Sequence, residues 1–208
     1  MHIPDGFLST PVWAGMDAVS ASAVGVAVRR VQRTLDGAHV PLMGMTAAFV
    51  FAAQMINFPV AGGTSGHLLG GLLAALLLGP APAVVVMTTV FVAQCLLFQD
   101  GGLTALGANV FNMGIIGSTG GYGIYRALCR LRVGDRSAVA IAAWLSVTLG
   151  AGAASLELGL SGTIPFRMVL PAMLGVHALI GVGEALITLG AVALVRRTPS
   201  ELFKAVGG

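Results

Sequence analysis

Residues 37–99 read GAHVPLMGMTAAFVFAAQMINFPVAGGTSGHLLGGLLAALLLGPAPAVVVMTTVFVAQCLLFQ, 63 consecutive positions without an Asp, Glu, Lys or Arg. A membrane-crossing helix needs ~20 predominantly apolar residues, so this stretch has room for about three. Pro59 with Gly62-Gly63 supplies one break and Gly79-Pro80-Ala81-Pro82 the next. The rest of the chain has the same character. Of its 208 residues 56% are hydrophobic and only 9% charged, and the mean hydropathy is +0.92. A soluble domain carries roughly 25% charged residues.

Working outward, the apolar runs predict an all-α integral membrane protein. It is a single transmembrane domain over 1–208, with seven spans at about 11–30, 38–58, 64–79, 82–99, 104–127, 137–158 and 168–195. Orientation follows from the basic residues. With the N-terminus outside, Arg29, Arg30, Arg33, Arg126, Arg130, Arg132, Arg136, Arg196, Arg197 and Lys204 all fall on inner segments, and only Arg167 falls outside. Six spans would lose that asymmetry. The expected topology is therefore N-out and C-in, with 196–208 as a cytoplasmic tail. The opening MHIPDGFLST lacks the basic n-region and cleavage site of a signal peptide. It is expected to stay on the outer face.

Composition narrows the function. No Lys/Arg run is interleaved with aromatics, which speaks against nucleic-acid binding. The only lysine is Lys204, so the phosphate-cradling pattern G-x-x-x-x-G-K-[ST] is missing, as are H-E-x-x-H and G-x-S-x-G. The chain is not expected to be an enzyme. Cys95 and Cys129 form no CxxC pair and read as packing residues. The methionines, Met43, Met45 and Met55 among them, form no dense cluster that would favour Cu(I).

His2 is the informative histidine. A free α-amine, the His2 backbone nitrogen and its imidazole close fused five- and six-membered chelate rings around one ion. A fourth nitrogen completes a plane that suits Ni(II) or Cu(II), and less readily Co(II), whereas Zn(II) prefers a tetrahedron. His67 is the natural fourth ligand, because the charge rule places residues 1–10 and the Gly62–Gly66 loop on one face. The plain alternatives are that His2 is an ordinary terminal residue and His67 a polar residue at a helix start.

Gln54, Asn57, Ser65 and Asn109 are candidates to accept the other N–H of a ligating imidazole, or to bond helix to helix. His177 and Glu184, seven apart, share a helix face and suggest a buried bracing pair. Ala14, Ala18 and Ser22 offer the first span a small-x-x-x-small face for close helix approach.

Three stretches carry a family resemblance: Met1-His2-Ile3-Pro4-Asp5-Gly6-Phe7-Leu8, Phe58-Pro59-Val60 with Gly62-Gly63-Thr64-Ser65-Gly66-His67, and Phe98-Gln99-Asp100-Gly101-Gly102-Leu103-Thr104-Ala105-Leu106-Gly107-Ala108-Asn109. The chain resembles the substrate-capture membrane subunit of cobalt/nickel energy-coupling-factor importers, the CbiM/NikM family. The resemblance implies a seven-helix bundle whose amino terminus dips into the core, with Met1, His2 and His67 holding the ion through four nitrogens. It also implies a transmembrane scaffold subunit, two cytoplasmic ATPases and often a small accessory membrane subunit as partners.

The expected function is thus capture of Ni2+ or Co2+ as transported substrate from outside the inner membrane, with no permanent cofactor. The planar donor set leans toward nickel, and the choice between the two metals stays open here. The competing expectation is a stand-alone secondary metal transporter using Asp17, Glu157 or Glu184 as titrating groups.

Overall fold

The computed structural model describes residues 1–34, 37–56, 58–60 and 64–197. A non-helical strap, residues 1–9 with a turn at Asp5-Gly6, leads into α1 (Thr10–Thr34) and, after a 3-10 turn at Gly37–His39, α2 (Val40–Gln54). Two short strands follow, β1 (Phe58–Val60) and β2 (Thr64–Gly66), and then α3 (Gly71–Leu78) and α4 (Pro80–Phe98). Next come α5 (Leu106–Asn109), a π-helical segment (Val110–Gly120) and α6 (Gly121–Arg130), running end to end as one rod. Finally α7 (Asp135–Leu160) and α8 (Phe166–Arg197) pack along each other.

Counting the rod as one, the described chain has the seven helical stretches read from the sequence. Those at 10–34, 80–98, 135–160 and 166–197 are long and apolar enough to cross a bilayer by length and composition. Breaks fall where backbone chemistry puts them. Gly79 sits at φ +86°, a left-side conformation open to glycine, and Pro80 then opens α4 with the fixed φ that a first helical turn accepts. The long rod winds through eleven π-helical residues, a form that gathers at functional positions.

The third span departs from expectation. Residues 64–79 are not one helix: 64–66 pair as β2 with β1, in antiparallel register Phe58↔Gly66, Pro59↔Ser65 and Val60↔Thr64, and only 71–78 are helical. Eight residues rise ~12 Å, too little for the ~30 Å hydrocarbon core. Irregular backbone in a membrane protein survives only where protein satisfies its polar groups, and α8 and α2 do so here, with α4 behind α2. Glu184 on α8 accepts the N–H groups of Leu69 and Gly70, at 2.8 Å each. Gln54 on α2 donates to the Leu69 carbonyl (2.7 Å) and accepts from Gln94 on α4 (3.0 Å).

His177 and Glu184 are both buried on one face of α8, yet they do not pair. Two helical turns separate them, and each is bonded elsewhere, His177 Nδ1 to the Met173 carbonyl at 2.8 Å. The small-residue stripe of α1 is not the face by which that helix packs within this chain. Ala14, Ala18 and Ser22 are exposed, and α1 makes its close approach through the next face round. There Asp17 accepts the Gly107 N–H (2.8 Å) and Ser20 donates to the Gly107 carbonyl (2.6 Å).

The core runs the length of the strap's burial. Met1 and Ile3 are fully enclosed and pack with Val50, Leu69, Met87, Phe91, Met113, Val147, Ala151 and Met173. The strap end of the bundle is tied by Thr163 donating to the Phe7 carbonyl and by Asp5 on the α4–α5 connection. At the opposite end Asp135, in the first turn of α7, accepts from Tyr125 (2.7 Å) and from Arg196 (2.5 Å).

Candidate metal centre

The site starts with residues 1–5, because nothing in their local sequence would hold them inside a bundle unaided. Asn109, buried at the end of α5, does so from both sides. Its Oδ1 accepts the Ile3 N–H at 2.8 Å and its Nδ2 donates to the Ile3 carbonyl at 3.1 Å. The Gly102 N–H donates to the same carbonyl at 2.9 Å. Asp5 then accepts from the Leu103 and Thr104 N–H groups (3.0 and 2.8 Å) and from the Thr104 hydroxyl (2.6 Å). The Thr104 hydroxyl is the main reason the Asp5 carboxyl is held below its ordinary range. Strap and α4–α5 connection are thus stitched together, backbone against backbone at Gly102, where an added Cβ would lie 2.3 Å from the Asp5 nitrogen.

This stitching delivers Met1 and His2 to the core. His2 is 3% exposed and His67 1% exposed, and their ring centroids lie 4.7 Å apart with the planes tilted by 33°. Phe91 on α4 meets the His2 ring edge-on, centroids 5.6 Å apart. Burial pushes the Met1 amine from its ordinary 8.0 down to about 4, so it is a neutral lone-pair donor at pH 7. Burial also lowers the His2 imidazole, outweighing the Asp100 carboxylate that pulls it upward. His67 Nδ1 is 2.7 Å from the Leu68 carbonyl and donates to it, which leaves the lone pair on Nε2, a buried atom without a hydrogen-bond partner among the described residues.

Of the sequence-read residues, Met1, His2 and His67 come together. Asn109 and Gln54 act on the main chain beside them: Asn109 grips the strap and Gln54 the His67 loop. Asn57, together with Gly62 and Gly63, lies outside the described residues, and only the backbone of Ser65, in β2, is described. Asp100 went unassigned in the sequence, yet its Oδ1 is 2.8 Å from His2 Nδ1. That nitrogen is the one through which the six-membered chelate ring must close. Glu184 was misassigned and in fact anchors residues two and three beyond His67. Its signal was faint but present, since a carboxylate in the middle of a span needs a partner. Glu157, the other buried carboxylate, on α7, accepts from Asn112 Nδ2 at 2.7 Å. Among the described residues no three His, Cys, Asp or Glu side chains form a metal-holding group. The gathered donors are an amine and two imidazoles, beside the His2 main chain.

This multi-pass helical protein thus draws its own amino terminus into a buried core lined by imidazole nitrogens. Comparison with known proteins specifies the class. The CbiM family, described as the cobalt uptake substrate-specific transmembrane region, matches residues 2–202. A protein of Archaeoglobus fulgidus, provisionally named a fused nickel transport protein NikMN, is 43% identical over 98% of this chain and 68% of its own length. The cobalt transport protein CbiM of Geobacter sulfurreducens is 34% identical over all of this chain and 62% of its own length. A crystal structure of a transition metal transporter superposes with TM-score 0.89 at 36% identity, covering 95% of this chain and 93% of the other. The chain therefore belongs to the CbiM family of metal-uptake membrane proteins. It spans about two thirds of the length of those two relatives.

Proposed function

We propose that this chain is the substrate-binding membrane subunit of an ATP-driven, energy-coupling-factor importer, and that it captures Ni2+ or Co2+ from outside the cell. The observation that carries the proposal is the juxtaposition of His2 and His67, both buried, with a buried amine that is neutral at pH 7. The ligands are the Met1 amine, the His2 amide and imidazole, and the His67 imidazole. A donor set of four nitrogens in a plane favours Ni(II) over Co(II) and disfavours Zn(II). On loading, His2 Nδ1 exchanges the Asp100 carboxylate for the ion. Asn109, Gly102 and Asp5 hold the strap in place, and Glu184 and Gln54 hold the His67 loop. The amine is available only where the mature chain begins at Met1, which an intact mass establishes.

Partners follow from the same reading. The sequence carries no phosphate-cradling loop, so ATP hydrolysis belongs to two cytoplasmic ATPases acting through a transmembrane scaffold subunit, with a small accessory membrane subunit alongside. The face bearing the strap is the outer one in this reading, which the arginine distribution supports.

The test is metal analysis of the purified, untagged chain after exposure to equal Ni2+, Co2+, Cu2+ and Zn2+. One equivalent of nickel or cobalt, with a planar absorption spectrum in the nickel case, is the expected result. Preference for zinc, or unchanged loading after residues are added before Met1, refutes the chelate. Uptake into vesicles that lack the ATPases refutes the importer and favours a stand-alone transporter.

A further inference from the structure

The proposed chelate leaves one buried imidazole unused. His177 lies in the middle of α8 and is 0% exposed. Its Nδ1 is 2.8 Å from the Met173 carbonyl, to which it donates, so the lone pair sits on Nε2. That Nε2 is buried and has no hydrogen-bond partner among the described residues. His67 is prepared in the same way: Nδ1–H is given to a main-chain carbonyl, and Nε2 is bare and buried. A histidine that only braces helices would use both nitrogens, because an unsatisfied buried polar atom costs about 1–3 kcal/mol. Fixing Nδ1–H on a carbonyl is also how proteins orient an imidazole for a metal through its other nitrogen.

The chain on both sides of His67 runs along α8: β2 before it touches α8, and Leu69 and Gly70 after it are held by Glu184. His177 is near enough to His67 and to the Met1 amine for their charges to interact. On the adjoining face of α8, Val176 and Ile180 line a hollow of about 450 Å3 together with His67 and Leu68. About two turns beyond His177, Gly183 also lines that hollow and Glu184 grips Leu69 and Gly70. The loop that carries His67 therefore lies along the face of α8 that carries His177.

We infer that His67 and His177 together form a second station for the divalent transition ion, which it occupies on leaving the amino-terminal chelate. The exchange is a ligand substitution. The ion keeps His67 Nε2, gives up the Met1 amine, the His2 amide and the His2 imidazole, and gains His177 Nε2, while the His2 amide takes back a proton from water. Two imidazoles bind such an ion more weakly than four nitrogens closed in chelate rings, as a transit station needs. The inference rests on the chelate reading and adds to it the path by which the ion is released.

The experiment uses Cu2+ as a paramagnetic probe on the full, untagged chain in detergent. In the unaltered chain the pulsed EPR spectrum reports planar four-nitrogen ligation, and its absence refutes the chelate itself. In His2→Ala the chelate is gone, and millimolar Cu2+ is expected to show two coupled imidazoles. Adding His67→Ala or His177→Ala to that background is expected to leave one. A His2→Ala chain showing a single imidazole or no bound ion overturns the station and leaves the chelate standing, and so does a count that His177→Ala does not change. His177→Gln, which keeps the side chain's bulk, guards against a folding defect and must lose the same coupling. In the assembled transporter His177→Gln is expected to slow ATP-driven nickel uptake at least tenfold, and a native rate overturns the proposal.

Discussion

Gly102→Ala tests how the strap is held. The glycine is not needed for an unusual φ; it is needed because no atom fits there. A Cβ at this position would lie 2.3 Å from the Asp5 nitrogen, 2.6 Å from Asp5 Oδ1 and 2.7 Å from the Pro4 carbonyl carbon. Ordinary contact begins at 3.4 Å, so the strap must retreat by about 1.1 Å, the difference between 3.4 and 2.3. Two of the three obstructing atoms are backbone and cannot rotate away. The retreat also stretches the 2.9 Å bond from the Gly102 N–H to the Ile3 carbonyl, one residue from His2. Overpacking of this kind costs about 1–3 kcal/mol.

Without metal the strap can lift and relieve the strain. In the loaded state it must sit down for His2 to reach the ion, so the cost appears in binding. At 1.4 kcal/mol per factor of ten, nickel affinity should fall between about fivefold and about 150-fold. The assay is calorimetric titration of Ni2+ into detergent-solubilised protein with an unmodified first residue. Gly123→Ala is the control, since a Cβ there meets nothing within 4 Å. Affinity of Gly102→Ala within twofold of the parent, or an equal loss in Gly123→Ala, would show that strap seating does not govern the site.

Extending the chain by Gly-Ser before Met1 should abolish high-affinity nickel binding, because Met1 is 0% exposed and its amine is consumed by the new peptide bond; equilibrium dialysis reads the outcome. Glu184→Gln replaces one of two N–H acceptors with an NH2 group facing Leu69 or Gly70, and a buried charged hydrogen bond is worth about 1.5–3 kcal/mol. The His67 loop should loosen, with a lower thermal midpoint and at least tenfold weaker nickel binding, while Glu184→Asp should recover part of both. Asn109→Ala removes both bonds to Ile3 and should weaken nickel binding more than it lowers the thermal midpoint, as paired titration and melting curves would show. The folded Met1 amine is neutral down to about pH 4, whereas the unfolded amine is protonated below 8.0, so between these values the unfolded state binds more protons. Metal-free stability should therefore rise with pH across that window, and thermal midpoints that fall from pH 5 to pH 8 would contradict the burial of the amine.

The membrane bundle was legible in the sequence because its cause is one-dimensional. Sixty-three positions without a formal charge can only be apolar spans, and the Pro and Gly breaks between them act through their own φ angles. The proposed donors were legible too, since covalent geometry alone spaces the amine, the amide and the imidazole of residues 1 and 2 to close five- and six-membered rings. Asp100 beside His2, Glu184 under the His67 loop and Asn109 around Ile3 were another matter. The contacts of Glu184 and Asn109 join residues 106 to 115 positions apart, and helical periodicity carries no information at that separation. The third span shows the limit best. Leu68 to Leu78 looks like the rest of a helix, yet only 71–78 wind into one, because buried side chains from α2 and α8 satisfy the backbone of 69 and 70 and free it from helical bonding. The chain alone thus determined that it lies in a membrane and which nitrogens it can offer. Only the packed structure decided where those nitrogens meet, because that depends on side chains brought together from distant parts of the chain.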